Sequence, residues 1–459
     1  MSSGSHNNSA VAAPAAAAET QAAREARQKR GFRFVLAVVF LDMLGVGLAV
    51  PVLPLLVGDF LSSPDEQARW YGILAATFGL MQFLCMPLLG ALSDKIGRRP
   101  VLIFSSAGMG LNFLVTAWAP SLMWLFLGRF IGGACSASMS TASAYASDIS
   151  KPENRAKTFG LIGAAFGIGF ICGPMLGGVL GSINYQLPFY VGAGLCFANA
   201  IFGFFFVKES LEPSKRSPFS FAKSNPFSSF RRLFARPDIG ALIVVFGLSA
   251  FAQVLQQTTW VLYTNFKFGW GPKENGIALF LVGLTAAVVQ AALLSKLIKA
   301  IGEVRLGLVG LAIASVSYLL TGLASAGWMI YVLIVANFLS YGAGPALQAI
   351  VSKATDPREQ GALMGSLQSL SSLSIVIAPI ISTQMLAEVS HYPQGDWRMG
   401  VVFYLAALLQ LIAVVLAWRF FASRGVPVHP ANQPVNQTAS QAMNQTASQP
   451  AAASASASA

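Results

Sequence analysis

Two charged residues stand deep inside long apolar runs: Asp42 in VVFLDMLGVGLAV and Arg129 in WLFLGRFIGG. Burial disfavours the ionised form of a carboxyl, and a nearby cation favours it. An acid that moves between two such settings can take up a proton in one and release it in the other. The alternative for Asp42 is a static partner for Arg129 or for a helix end. Arg129 can tune the acid or bind water and ligand, or else serve as a structural cation held by backbone carbonyls. A third stretch, GALSDKIGRRP (90–100), packs Asp94, Lys95, Arg98 and Arg99 between two apolar runs. Gly90 and Gly97 permit a tight turn there. The basic residues can anchor a loop in water, but Asp94 needs another explanation, such as pairing with a cation or facing the positive end of a helix.

Amides and aromatics interrupt other apolar runs: Gln82, Asn112, Gln257 and Gln348, with Phe78 and Trp260 among the rings. A few polar groups among aromatic walls is how small-molecule pockets look. Amides also bond neighbouring helices to one another, and rings also pack in cores or against lipid. No enzyme constellation is present. His6 and His429 fall in the polar ends and His391 in a short loop, and no zinc spacing, nucleophile triad or phosphate-cradling loop occurs. No metal or cofactor is expected. Cys85, Cys135, Cys172 and Cys196 read as small buried hydrophobes.

The elements that must hold these residues follow from composition. The chain has 459 residues, 55% hydrophobic and 10% charged. Soluble chains carry about a quarter charged residues. The apolar runs have the length that crosses a bilayer, about 20 residues as helix. Twelve spans are expected, at 34–57, 70–92, 101–119, 121–143, 158–181, 188–207, 239–262, 276–298, 305–324, 328–350, 362–386 and 399–421. The fold class is therefore all-α membrane, with twelve transmembrane helices in two six-helix halves.

The division into domains is expected at a disordered basic arm (1–33), a first half (34–207), a central loop (208–238), a second half (239–421) and a disordered polar tail (422–459) carrying two copies of NQTASQ. Basic residues cluster on alternate connections, with only Arg69, Lys267, Lys273 and Arg398 on the other side. Positive loops stay in the cytoplasm, so both termini are expected there. The net charge of +12 reports this topology rather than a nucleic-acid partner. LLSKLIKAIG (293–302) faintly echoes GALSDKIGRR, as expected of a transporter built from repeats.

The pattern of Gly90, Ser93, Asp94, Gly97, Arg98 and Arg99 resembles the loop signature of the major facilitator superfamily. LDMLGVGLAVPVLP (41–54), LGRFIGG (127–133) and GFICGPMLGG (169–178) resemble the first-, fourth- and fifth-span motifs of twelve-helix drug:proton antiporters. Within that group the chain resembles the tetracycline-resistance efflux proteins, over about residues 34–421. The resemblance implies proton-coupled export of an amphipathic drug from a bacterial inner membrane by a monomer. It assigns Asp42 and Arg129 to proton coupling and the 90–99 loop to a latch between the halves. Gly169, Gly173, Pro174, Gly177 and Gly178 become the antiporter motif, with Pro174 interrupting the fifth helix where the halves meet. On residue type, Phe78, Gln82, Asn112, Gln257, Trp260 and Gln348 are the expected cargo contacts, Gln82 also following the family's second-span LMQ. Asn112, Ala286 and Ala314 stand where tetracycline pumps carry Asp, His and Asp. That leaves open a multidrug exporter not acting on tetracycline, a metabolite uptake permease, or a non-transporting receptor on the same fold.

Overall fold

The computed structural model describes residues 31–150, 154–217, 240–353 and 360–423. Residues 1–30 of the basic arm, 218–239 of the central loop and 424–459 of the tail lie outside the described residues; 31–33 and 422–423, expected in the arm and the tail, are helical. Among the described residues, twelve helices are long and apolar enough to cross a membrane: α1 (Gly31–Ala49), α2 (Pro64–Ile96), α3 (Arg98–Ala117), α4 (Leu122–Ile149), α5 (Lys157–Ile183), α6 (Leu187–Phe206), α7 (Gly240–Phe268), α8 (Pro272–Ile301), α9 (Glu303–Leu323), α10 (Gly327–Ile350), α11 (Leu367–Val389) and α12 (Trp397–Ala422).

The expected first span, 34–57, is corrected. Its helix stops at Ala49, and a separate short helix, Leu53–Gly58, follows. Pro51 cannot donate a backbone N–H and disfavours helix at the residue before it, so the chain turns there. The expected interruption at Pro174 is also corrected: the helix Arg155–Ile183 runs through it, as helices run through Pro87 in α2 and Pro379 in α11. Neighbouring helices satisfy what a proline frees inside a membrane protein. The breaks lie elsewhere. α4 is interrupted at 135–137, between Leu122–Ala134 and Ser138–Ile149. α10 tightens into a 3₁₀ stretch at Asn337–Gly342, and α8 loosens into a π turn at Val289–Leu293.

Within each half, outer helices pair: α3 with α6, and α9 with α12. The halves meet along two seams, α2 against α11 and α5 against α8. Glycines make both seams possible. A Cβ at Gly79 would lie 2.7 Å from the Ile375 carbonyl oxygen, and one at Gly178 would lie 2.6 Å from the Pro272 carbonyl oxygen and 2.9 Å from the Gly276 Cα. Close backbone approach between helices needs such residues. The Arg69–Glu388 ion pair (2.8 Å) ties α2 to α11 near the same end, and Leu55 and Ala68 join the buried cluster of Trp260, Tyr263 and Phe403. At the opposite end, a side chain built at Gly90, Gly160, Gly163 or Gly167 would meet nothing within 4 Å. The two halves are thus closed together at one end, and among the described residues these glycines face open space at the other.

Lys267 is not in a loop as expected. It lies in the last turn of α7, fully buried, and its Nζ donates to the Gly322 carbonyl at 2.7 Å. The rings of Tyr263 and Phe268 face the ammonium at 5.4 and 5.8 Å.

Candidate functional site

Asp42 is held by the first half alone. Its helix packs on α5 through a face that alternates with the seam just described. Gly169 would place a Cβ 2.6 Å from the Phe40 carbonyl, and Gly173 one 2.7 Å from the Gly47 Cα; Gly177 abuts the Leu48 backbone. Within the motif at 169–178, three glycines therefore press α5 on α1, while Gly178 presses α5 on α8. This register brings Asp42 toward the break in α4, where the Ser138 hydroxyl donates to its carboxylate. Asp42 is buried, and its Oδ1 has no hydrogen-bond partner. A carboxylate oxygen left unbonded in an apolar interior is costly, and protonation relieves that cost. The geometry suits an acid that binds a proton.

Arg129 lies on the other arm of the broken helix. Its Nη2 donates to the Asn112 Oδ1 at 3.3 Å, its guanidinium sits 5.4 Å from the Phe78 ring centre, and its Nε has no partner. No ion pair joins Asp42 to Arg129. The static Asp–Arg pair considered from the sequence is absent; each charge has its own neutral neighbour.

The break in α4 also serves Gln82, whose Nε2 donates to the Ser136 Oγ at 2.9 Å. Ser136 and Ser138, which are not among the expected site residues, thus turn one irregular stretch toward both α1 and α2. Gly132 and Gly133 precede the break, and each is pressed upon by a neighbour: Asn112 at Gly132, and the Phe78 backbone and Met81 at Gly133.

The expected cargo contacts divide. Asn112 is fully buried between α3 and α4 and works on Arg129. Trp260 is buried in the second half, with its ring edge-on to Phe403 at 6.4 Å. Phe78 and Gln82 are half-buried, and Gln257 and Gln348 are exposed. The exposure of Gln257 is informative. Between Val245 and Phe268 the exposed residues of α7 are Gln253 and Gln257, and no apolar side chain there is exposed. α6, by contrast, exposes Ile201, Phe202, Phe204, Phe205 and Phe206. A lipid-facing helix shows the second pattern; a helix whose free face is amide lines water.

The 90–99 loop is a single-residue hinge. Gly97, at φ +115°, ends α2 and starts α3. The Glu209 carboxylate crosses from the end of α6 and accepts the backbone N–H groups of Arg98 (2.8 Å), Arg99 (3.1 Å), Ser210 (2.9 Å) and Leu211 (3.0 Å). An anion at a helix N-terminus satisfies its free donors and complements its dipole. The Arg98 side chain pairs with Asp94, with Asp148 (3.3 Å) and with Ser93 (3.0 Å). Arg99 donates to the carbonyls of Gly203 (3.2 Å) and Phe204. The Ser217 N–H donates to the Asp94 carbonyl at 3.1 Å. Gly90 faces open space. Every one of these contacts lies within the first half and the chain that leaves it.

Twelve apolar helices in two six-helix halves, joined at one end around polar interior faces, define a multi-pass membrane protein of a transport fold. The chain belongs to the major facilitator superfamily, whose family model matches residues 35–379 and 338–457. It is similar to the class C tetracycline resistance protein of Escherichia coli, 38% identical over 82% of this chain and 94% of that protein. The class B protein of Escherichia coli is 32% identical over 84% of this chain and 96% of that protein. Among solved structures, the human organic anion transporter MFSD10 superposes with a TM-score of 0.62 at 24% identity, over 85% of this chain and 99% of that one. That last likeness concerns the fold.

Proposed function

We propose that this protein exports a tetracycline-like amphipathic drug in exchange for protons, by rocking its two halves about a central site. The observation that carries the mechanism is Asp42: an acid in a membrane span, buried, with one carboxylate oxygen unbonded. The extensive likeness to tetracycline resistance proteins supports the cargo. By the positive-inside rule the end that bears Lys95, Arg98 and Arg99 faces the cytoplasm. Both termini then lie inside, in a bacterial inner membrane, and with the seams joined at the other end our reading is a state open inward. Asp42 takes a proton from outside and yields it inside. Coupling requires that the protonated and ionised forms prefer different facing states, since a ligand shifts an equilibrium only by differential affinity. Arg129 is the fixed cation of the same machinery.

The seams at Gly178–Gly276 and Gly79–Ile375 seal the closed end. When the open end closes, the Asp94 loop latches against the second half. Gln257 and Gln348 contact the cargo from the second half, and Gln82 and Phe78 from the first. The protein works as a monomer without a cofactor, and transport rather than catalysis is its activity.

Uptake of tetracycline into inverted vesicles under an imposed inside-acid pH gradient tests this reading. Accumulation that collapses with a protonophore is the expected result. If tetracycline fails and lipophilic cations accumulate instead, the cargo assignment falls and a multidrug exporter stands.

A further inference from the structure

Arg129 carries five donors in a rigid fork and remains charged in any environment. Its side-chain acceptor is one neutral amide oxygen at 3.3 Å, and its Nε is buried with no partner. The Asn112 amide cannot improve on this. Its Nδ2 donates to the Met109 Sδ at 3.4 Å, fixing which end faces the arginine, and Gly132 and Gly128 seat it against α4. Asp42, the acid of the neighbouring helix, is engaged with Ser138 and makes no ion pair with Arg129. Among the described residues, no carboxylate reaches the guanidinium. The Phe78 ring at 5.4 Å and the nearby Tyr71 contribute only weak electrostatic support. A buried cation lacking a counter-charge is strongly unfavourable. The residue as a whole is half-buried, so part of it is open to small groups.

We infer that Arg129 anchors a binding site for a small inorganic anion between α2, α3 and α4. Asn112 is the residue that leaves the site free: an aspartate at that position would fill it from within.

The test is thermal unfolding of the purified full-length protein in detergent, in sodium chloride against sodium gluconate at equal ionic strength, for wild type, Asn112→Asp and Asn112→Ala. A ligand that binds only the folded state raises the midpoint with the logarithm of its concentration. Chloride raises the midpoint of wild type and Asn112→Ala, and Asn112→Asp loses that response. No chloride response in wild type, or a response in Asn112→Asp equal to that of wild type, overturns the inference. The chloride response does not depend on what the protein exports, so it survives a failure of the export reading.

Discussion

Gly97 joins α2 to α3 and Gly302 joins α8 to α9, each as a single residue at positive φ, +115° and +80°. The two turns occupy corresponding places in the two halves and have the same backbone solution. Their surroundings differ. Gly97 is enclosed by the Glu209 carboxylate and flanked by Asp94 and Arg98, whereas a side chain at Gly302 would meet nothing within 4 Å. The difference extends inward. The first half holds Asp42 and Arg129 in its interior, while the second exposes Gln253 and Gln257 on α7. The turn itself therefore needs only a glycine, and the charges around Gly97 do something else. In our account the first half holds the switch and the second supplies neutral hydrogen-bonding groups to the cargo.

The comparison breaks most visibly at the glycines. Gly97→Ala forces a left-handed backbone on alanine and drives its Cβ into Glu209, with an expected loss of about 2–3 kcal/mol. Gly302→Ala meets only the backbone cost, about 1 kcal/mol. Unfolding midpoints of the two variants should separate in that order; equal losses would mean that Glu209 adds nothing at Gly97. Glu209→Gln keeps the shape and removes the charge at the α3 N-terminus, for an expected loss of about 1 kcal/mol that shrinks in high salt. No change at low salt would show that the helix end is satisfied without the anion. Arg69→Ala breaks a pair whose side chains are 40% and 64% exposed, so its stability cost should stay below about 1 kcal/mol. A cysteine cross-link between α2 and α11 at the closed end should nonetheless form more slowly in that variant.

The smallest effect concerns Asp59, outside the spans, where desolvation raises the carboxyl above its ordinary value. A raised acid favours the folded state while protonated, and that contribution is lost as pH rises through its folded pKa. Asp59→Asn should therefore raise the unfolding midpoint slightly at about pH 7 and leave it unchanged at about pH 3, below the ordinary aspartate range. A gain of equal size at both pH values would show that ionisation is not its source.

The twelve spans were legible because length and hydropathy alone specify a membrane helix. Their ends were less so. Lys267 reads as a loop residue to any count of basic charges, because a buried lysine at a helix end differs from a solvated one only through partners distant in sequence, here Gly322 and Tyr263. The charged loop at 90–99 was visible as a motif, but Glu209 was not, since it lies 111 residues from the Arg98 N–H it caps. The break in α4 was hidden in GACSAS, where small residues signal close packing equally well. Asn112 was read as a cargo contact. An amide in a span has the same appearance whether it faces a cavity or a neighbouring arginine, and only the approach of α3 to α4 distinguishes them.

The division of labour between the halves is tested most directly by proton release from inverted vesicles on addition of tetracycline, for wild type, Asp42→Asn and Gln257→Leu. Tetracycline should release protons in wild type and fail to do so in Asp42→Asn. Gln257→Leu should still exchange, but with a half-saturating drug concentration raised about tenfold, as expected for losing one good hydrogen bond. Full exchange by Asp42→Asn would contradict the account, because the acid proposed to carry the proton would then be dispensable.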